Sequence, residues 1–403
     1  MPQKVVIIGH SYSSRLGIIR SVAQIGCEII VVVMSGHDQG ELLYKTKPID
    51  CYSKYVSKVL YCARRDESAF IRLLLDKCAD SQQKVILIPD SDDSVAIIDE
   101  NKEILKKYFL FPHILGDIDS VHYWMNKSNQ KELASSLGLN VANGKIIDIV
   151  DGRYVIPKDV LYPCYTKPLA TMNGGKGGMR RCDNVQELSE SLDYIIRHRC
   201  RTIKVLLEDY KEIEQEYALL GFSDGKEVII PGILKILALS QQNKGISRQG
   251  IVMPVGDLAQ LMDLFQQLII KIGFIGVFDI DFYRSEGVYY FCEINFRFGG
   301  SGYAYTKMGV NLPAMLVKHL MGDDFLDMNK SIEKTATYAN ERMCLADWSN
   351  QYISLKEYRS ILESVDIRFV KDELDPLPEK KYEQEFRKTL IRKWLKKVYG
   401  KIK

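Results

Sequence analysis

The first 115 residues alternate short apolar runs with segments whose apolar residues recur at helical spacing. Residues 5–9, 29–34 and 85–88 are apolar runs that predict buried strands. Residues 16–23 and 95–105 carry apolar positions at helical intervals, which predict helices between those strands. Strand and helix in alternation, joined by short loops, indicate a doubly wound parallel sheet covered on both faces.

The pattern changes after residue 115. Residues 120–138 predict a linking helix that Gly138 ends, and a β-rich stretch follows to residue 206. Strands return from residue 207, and a helix is expected to begin near Asn311 and Pro313. The last part of the chain is polar and rich in tyrosine, and it ends in a basic helix.

The composition excludes several classes of protein. With 46% apolar and 27% charged residues, the 403-residue chain is typical of a globular protein with two or three domains. No apolar run reaches the length of a membrane span, and the first residues lead into a core strand rather than a signal peptide. Nine scattered cysteines without a Cys-x-x-Cys pair favour reduced thiols in the cytoplasm over a zinc site or disulfides.

The net charge of +3 is unevenly distributed. Residues 379–403 contain ten Lys or Arg and three Glu, a local charge of +7, which leaves −4 for the remainder. The body of the chain therefore lacks the basic character of a nucleic-acid binder, and no nucleic-acid partner is expected.

Residues 289–297 alternate in polarity like a strand with one polar and one apolar face. Such a strand would direct a carboxylate, an amide and a guanidinium toward a cleft, with the intervening residues buried. The polar face would carry Glu293, Asn295 and Arg297, and the apolar face Cys292, Ile294 and Phe296.

A second strand, residues 277–282, alternates in the same way. A three-residue hairpin loop centred on Gly287 would set Asp281 opposite Glu293. Adjacent carboxylates repel unless a cation lies between them, and Mg²⁺ prefers a few carboxylate oxygens together with phosphates. A surface hairpin in which Arg297 pairs with Glu293 is the alternative that these residues leave open.

Residues 174–178 form a glycine-rich loop that is suited to phosphate. Its four glycines let backbone N–H groups converge on phosphate oxygens, and Lys176, with Lys167 before the loop, adds positive charge. A flexible surface loop is the alternative. The loop does not match the P-loop pattern, and residues 9–14 lack the glycines of a dinucleotide fingerprint. The glycines are Gly174, Gly175, Gly177 and Gly178.

Taken in order and spacing, these segments resemble the ATP-grasp superfamily over residues 4–323. The likeness is to the carboxylate–amine ligase branch that includes D-aspartate ligases, which is itself similar to biotin carboxylase and the carbamoyl-phosphate synthetase large chain. Further matching segments are residues 16–21, 53–56, 87–92, Asn126-Lys127, residues 206–210 and Glu216.

The resemblance implies an α/β and α+β protein in which two jaws grip ATP behind a doubly wound parallel-sheet domain. Residues 1–115 would form that pre-ATP-grasp domain, and residues 116–206 the linking helix and small lid subdomain. Residues 207–330 would form the large subdomain with the metal site, and residues 331–403 a C-terminal extension with a basic amphipathic helix.

The resemblance also implies roles for matching side chains with ATP and Mg²⁺ as cofactors. Positive side chains and the glycine loop would hold phosphates, two glutamates would lie at the adenine hinge and ribose, and one arginine would stabilise an acyl phosphate. The phosphate residues are Lys127, Lys167 and the loop Gly174, Gly175, Lys176, Gly177, Gly178 and Met179; the hinge and ribose residues are Glu208 and Glu216; the metal ligands are Asp281, Glu293 and Asn295; the catalytic residues are Arg297 and Lys235.

Several of these roles have alternatives. Lys235 would equally suit an edge strand as a solubilising lysine. Arg15 and Arg248 would bind a substrate carboxylate or form ordinary surface salt bridges. Lys176 stands where relatives vary, so its contact is not assigned, and Asp281 stands where Glu is frequent, which shortens its reach by one methylene.

The implied function is an ADP-forming ligase that activates a carboxylate as an acyl phosphate and joins it to an amine. The alternatives are a bicarbonate-activating carboxylase-like enzyme and a non-catalytic ATP-binding regulatory protein. The partners would be small-molecule carboxylate and amine substrates, with a second copy of the chain in a homodimer as the common oligomer.

The C-terminal segment, residues 379–403, carries a separate expectation. Phe386, Leu390, Trp394 and Val398 fall every four residues, and lysines and arginines fill most of the other positions. A basic amphipathic helix of this kind suits peripheral contact of a cytoplasmic protein with a membrane. Packing of its apolar face on the protein body or on a dimer partner is the alternative.

Overall fold

The computed structural model describes residues 2–10, 12–35, 47–63, 66–168, 179–198 and 200–399. The chain divides into two compact units. The larger unit comprises Met1–His122, Ala218–Asp279 and Asn295–Lys403, and the smaller unit comprises Tyr123–Tyr217 and Ile280–Ile294.

The N-terminal part of the larger unit is built on a five-stranded parallel sheet of strand order β3-β2-β1-β4-β5. Alternate residues of β1 enter two different apolar clusters, Val5 and Ile7 one and Val6 and Ile8 the other. The sheet is therefore covered on both faces, and the predicted doubly wound parallel sheet is confirmed. The strands are β1 (Lys4–Gly9), β2 (Glu28–Ser35), β3 (Val56–Ala63), β4 (Val85–Pro89) and β5 (Phe109–Leu110).

The helix predicted over residues 95–105 is two helices, Asp92–Glu100 and Lys102–Leu105, and two of the connecting helices begin at side-chain caps. Asp66 accepts a hydrogen bond from the Ala69 amide before the second helix, and Ser91 from the Ser94 amide before the third. The helices are α1 (Tyr12–Ala23), α2 (Glu67–Lys77), α3 (Asp92–Glu100) and α4 (Lys102–Leu105), with a 3-10 helix at Ile49–Tyr52 and the short strand β6 (His113–Ile114).

The linking helix predicted over residues 120–138 is two helices, α5 (Val121–Trp124) and α6 (Lys127–Ser136). Asn126 begins the second because its side chain accepts a hydrogen bond from the Ser128 amide. An antiparallel sheet of order β7-β10-β8-β9 follows in the smaller unit, with its own apolar core around Leu188 and Val205. Its elements are β7 (Gly144–Ile149), β8 (Cys164–Pro168), β9 (Arg180–Cys182), α7 (Val185–His198) and β10 (Ile203–Asp209).

A nine-stranded sheet of order β16-β15-β11-β13-β14-β17-β18, with β12 on β11 and β6 on β15, contains the remaining strands. Three of them, β11, β15 and β16, run from one unit into the other. These strands are β11 (Gln215–Asp224), β12 (Val228–Ile229), β13 (Ile233–Leu239), β14 (Ser247–Met253), β15 (Phe274–Ser285), β16 (Val288–Asn295), β17 (Ala336–Ala339) and β18 (Ile367–Arg368).

The helix expected near Asn311 is confirmed, since the Asn311 side chain accepts a hydrogen bond from the Ala314 amide at 3.1 Å. The C-terminal residues supply two strands of the nine-stranded sheet as well as the expected final helix. The helices of this part are α8 (Ala259–Ile272), α9 (Tyr303–Lys307), α10 (Leu312–Met321), α11 (Glu341–Ser349), α12 (Leu355–Ser364) and α13 (Leu377–Tyr399), with 3-10 helices at Gly256–Leu258 and Leu326–Met328.

Candidate functional site

Lys127 is the first residue of α6, and its ammonium contacts the carboxylate of Glu293 on β16. Burial disfavours the charge of this lysine, but the attraction of Glu293 and Asp281 outweighs that effect and raises the pKa of Lys127. Lys127 therefore stays an ammonium at any ordinary pH. The predicted phosphate lysine and two of the predicted metal carboxylates meet in the smaller unit.

A second group of charges lies one helical turn further along α6. The ammonium groups of Lys131 and of Lys167, on β8, contact opposite oxygens of the Glu208 carboxylate on β10. Glu208 has only 3% of its surface exposed, so these two lysines compensate a buried negative charge. Burial and the neighbouring ammonium of Lys167 lower the pKa of Lys131 to about 7. The Glu208 carboxylate, expected at an adenine hinge, is thus held by the lysine pair.

Cys292 is half-buried beside Glu293, and this pair lies between the buried residues Phe291 and Ile294. The assignment of Cys292 to the apolar face of the strand stays a prediction. Burial raises the pKa of the Cys292 thiol, and the nearby ammonium groups of Lys167 and Lys127 oppose that shift.

Gln130 fixes α6 beside Glu293. Its side-chain amide donates to the carbonyls of Trp124 at 2.7 Å and Ile294 at 2.9 Å, and accepts from the Ile294 amide at 2.8 Å. Gln130 is 1% exposed, so all its hydrogen bonds are internal. This residue and Lys131 were missed by the sequence analysis, although Lys131 stands four residues after Lys127 and hence on the same helical face.

The hairpin between β15 and β16 has a loop of two residues, Glu286 and Gly287, rather than the predicted three. Both have positive φ, 50° and 75°, as the tight type I′ turn requires. Glycine at the second position and a strand twist compatible with that turn favour the shorter loop.

The remaining nucleotide residues are placed as follows. Glu216 is half-buried near the start of β11, and Met179 is half-buried just before β9. Gly174, Gly175, Lys176, Gly177 and Gly178 lie outside the described residues. Their assignment to phosphate stays a prediction.

In the larger unit, Arg297 is held by an acidic residue of the N-terminal sheet domain. Its Nε donates to Asp92 Oδ1 at 2.6 Å, and its Nη2 to Asn295 Oδ1 at 3.4 Å. Asp92 is the first residue of α3, where a carboxylate is also favoured by the helix dipole. Arg297 therefore pairs with Asp92.

Lys235 lies half-buried on β13, an interior strand of the nine-stranded sheet, so the edge-strand interpretation is wrong. Arg15 is fully buried, donating to Asp50 Oδ2 at 2.5 Å and to the Gly9 carbonyl at 2.7 Å, so its salt bridge is not a surface one. Helix α1 is buried on all sides, which explains the difference. Arg248 pairs with Asp347 at 3.0 Å.

The described residues contain no group of three or more His, Cys, Asp or Glu side chains arranged to hold a metal ion. The expected ligand set has two carboxylates and one amide, all oxygen donors of the type that Mg²⁺ prefers. Mg²⁺ commonly completes such a set with water and nucleotide phosphates, and Lys127 already places a cation against Glu293. The donor chemistry thus fits Mg²⁺ delivered with a nucleotide.

Solved structures with this architecture include N5-carboxyaminoimidazole synthetase from Staphylococcus aureus in complex with ADP, at 17% identity and a TM-score of 0.60. The alignment covers 84% of this chain and 82% of that one. The L-amino acid ligase from Bacillus licheniformis aligns at 16% identity and a TM-score of 0.59, over 84% and 79% of the two chains. The chain has the ATP-grasp fold. The predicted fold class and the stated resemblance are confirmed.

A curated relative in sequence is the carbamoyl phosphate synthase large chain from Clostridium beijerinckii, 23% identical over 224 residues. The match covers 53% of this chain and 20% of that protein, so the chain spans about a fifth of its relative's length. No family model matches the chain. The ADP complex among the ATP-grasp structures agrees with the expected nucleotide cofactor.

Proposed function

We propose that the protein is an ADP-forming ligase, which activates a substrate carboxylate as an acyl phosphate with Mg-ATP and joins it to an amine. The observation that carries the proposal is the cluster of the smaller unit, where Lys127, Lys131 and Lys167 face the carboxylates of Glu208 and Glu293. A nucleotide site needs cations for phosphates and carboxylates for the accompanying metal, and this cluster supplies both.

Binding of Mg-ATP would exchange partners within the cluster. In the protein alone, Lys127 and Glu293 neutralise one another. A phosphate would take over the ammonium of Lys127, and Mg²⁺ would take over the carboxylate of Glu293, so neither charge is left buried and unpaired. Asp281 and Asn295 would be the further oxygen ligands, as the family pattern implies.

In phosphoryl transfer the protein mainly positions the reactants and neutralises charge. The substrate carboxylate attacks the γ-phosphorus, ADP leaves, and the amine then displaces phosphate from the acyl phosphate to form the amide. Mg²⁺ neutralises charge on the transferred group when bound. Lys127 and Lys167 would hold phosphate oxygens, and Arg297, oriented by Asp92, would stabilise the acyl phosphate.

The experiment described below distinguishes the ligase proposal from two alternative functions. A bicarbonate-activating enzyme is supported by the likeness to the large chain of carbamoyl phosphate synthase. A non-catalytic nucleotide-binding protein would be expected to have lost part of the Glu293, Asn295 and Arg297 set, and the chain retains all three. The second alternative is therefore the weaker one.

The test is ADP release from Mg-ATP across amino acids, sugar acids and bicarbonate, with hydroxylamine present to trap acyl phosphates. Glu293→Gln should lower turnover by roughly a hundredfold or more because it removes a metal ligand. Glu286→Gln, on the exposed loop of the same hairpin, is the matched control and should behave like the unmodified protein.

A hydroxamate formed with one acid would establish carboxylate activation and identify half of the substrate pair. Release that depends on bicarbonate alone would replace the ligase proposal with the carboxylase one. ATP binding without ADP release for any acid and amine pair, or full activity in Glu293→Gln, would overturn the proposal.

A further inference from the structure

The first half of α13 is part of the protein body. Tyr382 is buried, its hydroxyl donating to the Glu341 carbonyl at 2.8 Å and lying 2.7 Å from the hydroxyl of Tyr358. One turn further, the ring of Phe386 packs against those of Trp348 and Tyr358, with centroids 5.2 and 5.3 Å away. The expectation that the apolar face packs on the body is thus correct as far as Phe386.

Beyond Phe386 the apolar side chains are exposed. Trp394 has 61% of its surface accessible and Ile391 56%, while Leu390 and Leu395 have 37% and 39%. The ammonium of Lys393 lies 5.1 Å from the ring centre of Trp348, so this side of the helix faces the body. At about 100° per residue, Ile391 projects roughly opposite to Lys393. The apolar stripe is therefore turned toward solvent.

Charge changes along the helix at the same point. Residues 377–385 contain all three of its glutamates, whereas residues 386–399 contain six Lys or Arg and no Asp or Glu. On a helical projection Leu390, Ile391, Trp394 and Leu395 span an arc of about 140°. Arg387, one turn before Ile391, lies within this arc at its N-terminal end, and Lys388, Arg392 and Lys393 lie outside it. An exposed apolar stripe bordered by cations on both sides is the pattern of a helix that lies in a bilayer interface.

We propose that residues 387–399 of α13 dock the protein onto an anionic lipid surface. The stripe would enter the boundary between headgroups and acyl chains, with Trp394 at the interface, and the basic side chains would reach the headgroups. None of the helices in the described ranges is long and apolar enough to cross a membrane.

The charge also argues against a second copy of the chain as the occupant. A two-fold contact would place the same patch on both sides, so that the basic residues beside the stripe would face their own copies. Such a contact leaves like charges opposed at its rim, whereas an anionic bilayer compensates them. The lipid surface is the occupant that satisfies both the apolar and the basic part of the patch.

The test is flotation of the full chain with two kinds of vesicle. One kind contains phosphatidylcholine and phosphatidylserine at about 7:3 by weight, and the other contains phosphatidylcholine alone. We expect binding to the mixed vesicles, weakened by raising the salt concentration. Ile391→Ser/Trp394→Ser should bind roughly tenfold or more weakly because apolar area is lost, and Lys388→Gln/Arg392→Gln should do the same because charge is lost. Val155→Ser/Leu161→Ser, which replaces two exposed apolar side chains of the smaller unit, should bind like the unmodified protein.

Circular dichroism of each variant verifies the fold, and the charge variant leaves the apolar stripe intact. No binding of the unmodified protein to phosphatidylserine vesicles would overturn the proposal. So would binding that both α13 variants retain in full. A concentration-dependent dimer that Ile391→Ser/Trp394→Ser abolishes, without vesicle binding, would assign the stripe to a second copy and also overturn it.

Discussion

At the residue scale, the smaller unit contains a group of buried and partly buried charged side chains that are paired with one another. Lys131 and Lys167 share one carboxylate, that of Glu208, so this group has one cation more than it has anions. Burial and the neighbouring ammonium of Lys167 disfavour protonation of Lys131, whereas Lys127, next to Glu293 and Asp281, is held in the charged form. Two lysines one helical turn apart thus differ in charge at neutral pH.

The difference between these lysines predicts a pH dependence of stability. Because the pKa of Lys131 is about 7 in the folded protein and near 10.5 in the unfolded chain, the unfolded state binds more protons between these values. The contribution of this group to the free energy of unfolding should therefore rise with pH above 7, by roughly 1 kcal/mol per pH unit. Urea denaturation at pH 7, 8 and 9 measures the slope.

Lys131→Met should remove that slope. Lys127→Met is the matched control, because the raised pKa of Lys127 keeps it protonated in both states over this range. Loss of its positive charge should raise the pKa of Lys131, so the rise of stability with pH should persist but begin at a higher pH. An identical slope in the unmodified protein and in Lys131→Met would contradict the assigned charge state.

Asp92 predicts a separable effect on turnover. Asp92→Asn should loosen Arg297, whose Nε lies 2.6 Å from the carboxylate, and lower kcat roughly ten- to hundredfold with little change in KM for ATP. Steady-state kinetics with the acid identified by hydroxamate formation provide the measurement. Asp93→Asn, the next residue of α3, serves as control. A rise in KM for ATP without loss of kcat would mean that Asp92 does not orient Arg297 for chemistry.

The sequence predicts the members of the cluster better than their partners. Lys167 and Glu293 were selected from the glycine-rich loop and the alternating strand, whereas Lys127 and Glu208 were selected by the resemblance to the ATP-grasp superfamily. Gln130 was missed because its role depends on a carbonyl of β16 that is 164 residues away in the chain.

At the element scale, the β15–β16 hairpin carries both predicted metal carboxylates, so its turn sets their strands in register. Gly287→Ala should destabilise the protein by about 1 kcal/mol, because alanine is sterically strained at a φ of 75°. Glu286→Asn should have the opposite effect and stabilise the protein, because asparagine adopts a φ of 50° more readily than glutamate. Thermal unfolding followed by circular dichroism compares them, and equal midpoints for both variants would contradict the type I′ assignment.

Element prediction succeeded where the periodicity is long and failed where elements are short. The parallel sheet, α10 and α13 each have clear patterns or caps. Strands β17 and β18 have four and two residues, too few to establish a period of two, and their place is fixed by pairing with β14 and with each other. The C-terminal residues therefore looked like an extension in the sequence, yet they contribute strands to the nine-stranded sheet.

At the scale of the whole molecule, the larger unit joins its first helix to its C-terminal segment through one arginine. Arg20 of α1 is 3% exposed and donates to the Asp375 carboxylate at 3.0 Å and to the carbonyls of Phe369 and Val370 at 2.9 Å each. The same carboxylate accepts from the Lys54 amide at 3.0 Å. Residues far apart in sequence thus depend on a single planar guanidinium, a role that local patterns do not reveal.

Arg20→Lys should therefore be destabilising although it keeps the charge. One ammonium cannot reproduce the fixed fork of donors, so buried carbonyls lose their partners, and we expect a loss of roughly 3 kcal/mol in the free energy of unfolding. The segment around Asp375 should also open, so that trypsin cleaves faster after Lys371, whose side chain is already exposed in the folded protein. Urea denaturation and limited proteolysis measure the two effects, with Arg72→Lys on the exposed side of α2 as control. If Arg20→Lys were as stable and as resistant to trypsin as Arg72→Lys, the C-terminal segment would have to be held by its apolar contacts alone, and the hydrogen bonds of Arg20 would have no part in joining the two ends of the unit.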